Sequence, residues 1–134
     1  MEQLDLSKLN VGLTEHLGLR LDEITPDRVR MSFDIRPEHL QPFGIVHGGV
    51  YCSVVETAAS MGAAAWLAST GTEGKVVGVS NQTDFLRALA EGSVAGVATP
   101  VHRGRSQQLW IVEITDAQQR LVARGQVRLQ NLTN

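Results

Sequence analysis

The sequence predicts an α+β fold in which a mostly antiparallel β-sheet wraps around one long central helix. Three observations point there. Apolar residues alternate with a period of two on either side of a single long segment that has no such alternation. That segment, residues 47–68, is apolar on nearly every face, as a helix enclosed by other structure would be. The strand-like runs are two before it and four after it, an order that favours an antiparallel sheet over repeated strand–helix–strand units.

Residues 1–16 read as a short leader helix with Leu4, Leu6, Leu9 and Leu13 as its apolar points. Leu17, Leu19 and Leu21 then begin the two-residue period. Thr25-Pro26-Asp27 signals a turn. Val29, Met31, Phe33 and Ile35 alternate with Arg30, Ser32, Asp34 and Arg36, the pattern of a strand with one wet face. Pro37 to Val46 is a loop, and His47-Gly48-Gly49 opens the central helix. Strands are predicted over Val76–Phe85, Ser93–Val101, Gln107–Thr115 and Leu121–Leu129. With no internal repeat or linker, residues 1–134 read as one domain.

Composition excludes several classes. Twelve basic and 14 acidic residues leave a net charge of −2, which argues against nucleic acid or an anionic membrane as the main partner. A lone Cys52 forbids an intrachain disulfide and fits a reducing compartment. No basic segment followed by an apolar run opens the chain, so the expected location is the cytoplasm. No cluster of ligands at metal-binding spacing appears, and no metal or cofactor is expected.

Glu56 carries the chemical signal. It is the only charged residue between His47 and Glu73. Burying an ionised carboxylate among alanines and valines costs several kcal/mol unless it is paired or hydrogen-bonded. An apolar residue would serve packing better, so the acid reads as functional, with a salt bridge at a wet edge as the plain alternative. At the start of the helix, free backbone N–H groups and the positive dipole end face outward, and glycine lets a ligand approach them closely. Gly48 and Gly49 therefore offer a site for a carbonyl oxygen that gains charge during acyl transfer. Taken alone, an HGG tripeptide is equally consistent with an ordinary glycine-rich cap.

The combination is more specific. Gly44-Ile45-Val46-His47-Gly48-Gly49 is followed by Glu56 eight residues after Gly48, Gln41 precedes Glu56 by 15, and Ser60-Met61 follows it by four and five. From about Leu17 to Leu132 this resembles the hotdog-fold acyl-CoA thioesterases. The nearest branch holds the PaaI-like enzymes, the glutamate-type 4-hydroxybenzoyl-CoA thioesterases, and the 1,4-dihydroxy-2-naphthoyl-CoA and enterobactin-pathway thioesterases. The resemblance implies hydrolysis of an aryl- or medium-chain fatty acyl-CoA. It implies that the Gly48 N–H polarises the thioester carbonyl with help from His47 or Gln41. Glu56 then attacks the carbonyl or activates water, and Ser60, one turn later on the same face, holds that water. It implies a homodimer or a dimer of dimers (a homotetramer), with the oxyanion residues of one chain facing the acid of its neighbour.

His102-Arg103-Gly104-Arg105 resembles the turn with which this family contacts coenzyme A, and basic side chains there suit phosphate. Arg87 matches a basic position of the naphthoyl and enterobactin branch, but Phe85-Leu86 stand where that branch carries a histidine pair. Cys52 lacks an oriented base and reads as a small buried hydrophobe. His16 and His39 read as surface or loop residues. Two other activities share the outline. A hotdog dehydratase pairs its helix acid with a histidine base, where this chain has Gln41. A non-catalytic acyl-CoA sensor needs an attached regulatory segment, for which 134 residues leave little room.

Overall fold

The computed structural model describes residues 6–133, in which six antiparallel strands form one sheet against a single long helix. A 3-10 turn at Leu6–Leu9 and helix α1 at Gly12–His16 lead into β1 (Arg20–Ile24) and β2 (Val29–Asp34). Helix α2 spans Gly48–Ser69, and β3 (Gly74–Phe85), β4 (Ser93–Arg103), β5 (Gln107–Asp116) and β6 (Leu121–Thr133) follow. The strand order is β1-β2-β4-β5-β6-β3, so β3, the first strand after the helix, crosses to the far edge.

The period-two residues of the strands face α2. Val29, Met31 and Phe33 of β2, Trp110, Val112 and Ile114 of β5, and Val127 and Leu129 of β6 are buried against Val54, Val55, Ala58 and Ala59 of the helix. Small residues let the layers approach. A Cβ at Gly62 would stand 2.5 Å from the Trp110 ring, and one at Gly125 would meet Val55 at 2.5 Å. A chain of buried amides runs through this core. Trp110 Nε1 donates to Gln108 Oε1 (2.9 Å), and Gln108 Nε2 donates to Asn131 Oδ1 (2.9 Å). Asn131 Nδ2 in turn donates to the carbonyls of Gly104 (3.0 Å) and Arg105 (3.1 Å), so the core grips the β4–β5 turn directly.

Several details depart from the sequence reading. The expected leader helix lies partly outside the described residues, and the remainder is broken into two short pieces. Gly12, at φ +60, interrupts the helical path between them. The first strand starts at Arg20 instead of Leu17, because Gly18 turns the chain at φ +65. His102 and Arg103 belong to β4, not to the turn, which is Gly104 to Ser106.

His39 is buried, not a surface residue. Its Nδ1 accepts from Arg36 N (2.9 Å) and its Nε2 lies 2.6 Å from the Leu17 carbonyl, so the ring ties the loop before α2 to the end of α1. Helix α2 is not enclosed on all sides either. One sheet covers one side of a helix. The side carrying Cys52, Ser53, Glu56, Thr57 and Ser60 is only half-buried, and Ala64 and Ala68 are exposed. Among the described residues, no helix is long and apolar enough to cross a membrane, and no three metal-ligating side chains stand together.

Candidate active site

The start of α2 is built by its capping residue. His47 has extended backbone, and its Nδ1 accepts from Gly49 N at 2.8 Å, an N-cap made by an imidazole. A Cβ at Gly49 would crowd that nitrogen, which is why glycine follows. Because Nδ1 accepts, the neutral ring carries its proton on Nε2, and this donor points away from the cap. Val50 N donates to the His47 carbonyl (3.0 Å). The Gly48 N–H, first in the helix, has no intrahelical acceptor and remains available.

Gln41 sits in the loop beside this terminus. Its Oε1 accepts from Phe43 N, which orients the amide so that Nε2 is free to donate. Gln41, Gly48, Tyr51, Phe85, Leu86 and Arg87 line a cavity of about 300 Å³. The Phe85 ring lies over Gly48 closely enough that a Cβ there would come within 2.6 Å of it. Tyr51 is 2% exposed, and its hydroxyl has no partner among the described residues. Burial pushes its pKa up to about 12, so the hydroxyl keeps its proton at physiological pH.

Glu56 and Ser60 stand elsewhere, on the open side of α2 against β3. Asn81 Nδ2 donates to Glu56 Oε1 (3.2 Å) and to the Cys52 carbonyl (3.2 Å), while Ser60 Oγ donates to Glu56 Oε2 at 3.5 Å. A second cavity of about 410 Å³ is lined by Leu13, Cys52, Ser53, Glu56, Thr57 and Asn81. The expected site residues therefore fall into two groups within one chain, Gln41 with His47 and Gly48, and Glu56 with Ser60.

The basic residues divide as well. Arg103 is already engaged, with Asp27 Oδ1 at 2.7 Å, the Pro26 carbonyl at 2.8 Å and the Trp66 ring 5.8 Å from its Cζ. It fastens the β1–β2 turn to β4. His102 and Arg105 are exposed, Arg105 on the turn that Asn131 holds, and Gly104 closes the turn by donating its N–H to the Gln107 carbonyl (2.8 Å). Arg87 is exposed at the rim of the first cavity.

A model of the thioesterase superfamily matches residues 43–123, the stretch from the loop before α2 into β6. The chain belongs to the thioesterase superfamily. As a member, it is a thioester hydrolase of hotdog fold. Rv1847 of Mycobacterium tuberculosis is 56% identical to it over 124 residues, covering 92% of this chain and 89% of that protein. The solved structure of that relative superposes with a TM-score of 0.86 at 57% identity, covering 90% of this chain and 95% of the other. The 1,4-dihydroxy-2-naphthoyl-CoA hydrolase of Escherichia coli is 38% identical over 105 residues (78% of this chain, 75% of that one). The proofreading thioesterase EntH of Cronobacter turicensis is 37% identical over 117 residues (86% and 82%).

Sequence reasoning missed three residues that shape this candidate site. Asn81 and Gly78 of β3 both adjoin the Glu56 carboxylate, and Tyr51 places a buried hydroxyl against the first cavity. Nothing in the strand's residue pattern marked Asn81 or Gly78. Tyr51 was hidden by its place in an apolar helix.

Proposed function

We propose that the protein hydrolyses an acyl-CoA thioester at a site shared by two copies of the chain. The observation that carries this reading is the placement of the two site halves on one helix. Gly48 and Glu56 are eight residues apart on α2, which is about 12 Å along its axis. A carbonyl held by the Gly48 N–H needs its attacking group about 3 Å away. The Glu56 of the same chain does not reach it, whereas an antiparallel α2 from a second copy brings its own Glu56 to the opposite end.

The exposed surface fits such a partner. β3 pairs with β6 along one edge only and leaves its other backbone edge unpaired over 12 residues. Val77, Val79 and Phe85 are exposed on it, beside the open side of α2. A long apolar edge strand is a pairing surface. Two copies joined there form one continuous sheet with their helices face to face, and pairing of such dimers gives a tetramer.

In the shared site, the Gly48 N–H, the His47 Nε2–H and the Gln41 amide of one chain hold the carbonyl oxygen as it gains negative charge. Glu56 of the other chain supplies the oxygen that adds to the carbonyl carbon, or that takes a proton from the water that adds. Ser60 lies against the same carboxylate and holds that water. The coenzyme A thiolate leaves and takes up a proton, and where Glu56 itself has added, water then hydrolyses the acyl–Glu56 anhydride to the free acid and restores the carboxylate. The first cavity, walled by Phe85, Leu86 and Tyr51, accepts the acyl group, and its aromatic lining favours an aryl acyl over a medium-chain fatty one. Arg105 and His102 at the β4–β5 turn and Arg87 at the rim of the first cavity face the phosphates from exposed positions, with Gly104 closing the β4–β5 turn and Arg103 fastening the β1–β2 turn to β4. A cytoplasmic acyl-CoA pool supplies the substrate, and no metal or further cofactor takes part.

The test is thiol release by the purified protein across aryl- and fatty-acyl-CoAs, followed by complementation. Glu56→Ala and Gln41→Ala are each expected to be weak alone. Unfolded and refolded together, they form mixed dimers in which one site carries both lesions and the other neither. Activity then rises to about a quarter of wild type, because half the dimers are mixed and each has one intact site. A mixture that stays at the parental level, while wild type refolds, refutes the shared site. Silence across the whole panel refutes the hydrolysis of acyl-CoA.

A further inference from the structure

The geometry points to Asn81, held by Thr83 and aimed by a β-bulge at Val79, as the residue that positions Glu56 for catalysis. This inference rests on Glu56 being the acid of the proposed reaction and extends it to a part of the chain outside the helix. Three observations carry it.

The first is the bulge. β3 and β6 pair as Gly78↔Leu129 and then Ser80↔Arg128, so one extra residue, Val79, is inserted on β3. In a regular strand residues 78 and 81 would face opposite sides of the sheet. The inserted residue shifts the parity, and both now face α2. Bulges commonly re-aim side chains beside functional sites. Here Gly78 and Asn81 flank one carboxylate. A Cβ at Gly78 would overlap Glu56 Oε2, and Asn81 bonds Oε1.

The second is the orientation of the amide. Asn81 Nδ2 faces two acceptors, Glu56 Oε1 and the Cys52 carbonyl, each at 3.2 Å. Its Oδ1 accepts from Thr83 Oγ1 at 2.8 Å. Two acceptors on one side and a hydroxyl donor on the other leave a single orientation for the amide. Thr83 has room because Gly125 of β6 faces it, where a Cβ would come within 2.7 Å of its hydroxyl oxygen.

The third is the asymmetry this creates. Oε1 is bound by a fixed donor. Among the described residues, Oε2 meets only the longer contact from Ser60 and the bare backbone of Gly78. Oε2 is therefore the oxygen left to act, and the Asn81–Thr83 pair sets which way it points.

The experiment compares kcat and KM for Asn81→Ala, Asn81→Asp, Thr83→Val, Thr83→Ser and the double variant Asn81→Ala/Thr83→Val, with Glu56→Ala and wild type alongside. Asn81→Ala is expected to lower kcat roughly ten- to a hundredfold, the scale of a misplaced reacting group, with KM little changed. Asn81→Asp keeps the shape but cannot donate and sets a second carboxylate against Glu56, so it loses at least as much. Thr83→Val loses less, and Thr83→Ser restores activity. The double variant matches Asn81→Ala alone, because Thr83 acts through Asn81. A raised KM at unchanged kcat would make Asn81 a substrate contact and overturn the inference. So would a loss that tracks unfolding in a thermal melt, or additive effects in the double variant. Inactive Glu56→Ala beside fully active Asn81→Ala overturns the positioning role and leaves the thioesterase reading intact. A fully active Glu56→Ala overturns the positioning role together with the assignment of Glu56 as the acid.

Discussion

Alanine at position 78 places a methyl group where the Glu56 carboxylate now lies. The overlap falls on Oε2, the tip of a flexible side chain, so the carboxylate yields and the strand does not. Ordinary contact with a carbon needs roughly 3.5 Å, so the oxygen retreats by more than an ångström. Misplacement of that size costs about 100-fold in rate, or about 2.7 kcal/mol of transition-state stabilisation. The fold is expected to gain slightly, because alanine in a strand loses less backbone freedom than glycine, by about 0.5–1 kcal/mol. Gly78→Ala therefore separates activity from stability: kcat in a thiol-release assay drops about 100-fold while the melting temperature holds or rises. Turnover within threefold of wild type would show that the position of Oε2 does not matter and would remove the reasoning that places Glu56 at the reacting carbon. A collapse in melting temperature would show that β3 itself is strained by the methyl group.

Three further outcomes test other parts of the site. Arg105→Ala is expected to raise KM several-fold with kcat nearly unchanged, and the effect should vanish for truncated thioesters lacking the nucleotide; Arg103→Ala, which frees the β1–β2 turn, should instead cost about 1 kcal/mol of stability in a denaturant titration. Tyr51→Phe removes a buried hydroxyl that has no partner among the described residues, so the free protein should become more stable, by up to about 1 kcal/mol, while hydrolysis of any acyl group that bonds the hydroxyl should weaken.

The parts of this fold that the sequence made legible are those in which one residue's neighbours along the chain decide its surroundings. α2 was legible because an apolar run with glycines at its start has few other homes, and Glu56 because one charge in that run is costly. The β2, β5 and β6 faces followed from alternation. Asn81 was not legible, since a polar residue on an edge strand looks the same whether it faces water or a carboxylate. The bulge at Val79 decides between the two, and it is visible only in the pairing with β6. Gln108 and His39 are similar cases. Both are buried polar side chains whose distant partners, Asn131 for one and Leu17 for the other, are brought near only by the folded chain. The family resemblance marked Arg103 for the coenzyme A phosphates, and its ion pair with Asp27, 76 residues away in the chain, is visible only in the folded protein.

An ionised acid on an alanine-rich helix is tolerable here because it is not buried when the chain folds. α2 turns Glu56 toward the one side that the sheet leaves open, so a single chain keeps water against the carboxylate and avoids most of the desolvation cost. Asn81 already supplies one hydrogen bond in that state. In the proposed dimer, a second copy covering the open side would displace the remaining water in the same step that brings its Gly48 N–H and His47 imidazole close. On that proposal the penalty for enclosing the charge would be met by association, which would also complete the site. β3 serves both ends of this arrangement. Its free edge is the one proposed to pair with the neighbour, and its inner face, reset by the bulge, carries the amide that bonds the acid. A change that straightens β3 would therefore weaken association and misplace Glu56 together, even if every residue of α2 were left untouched.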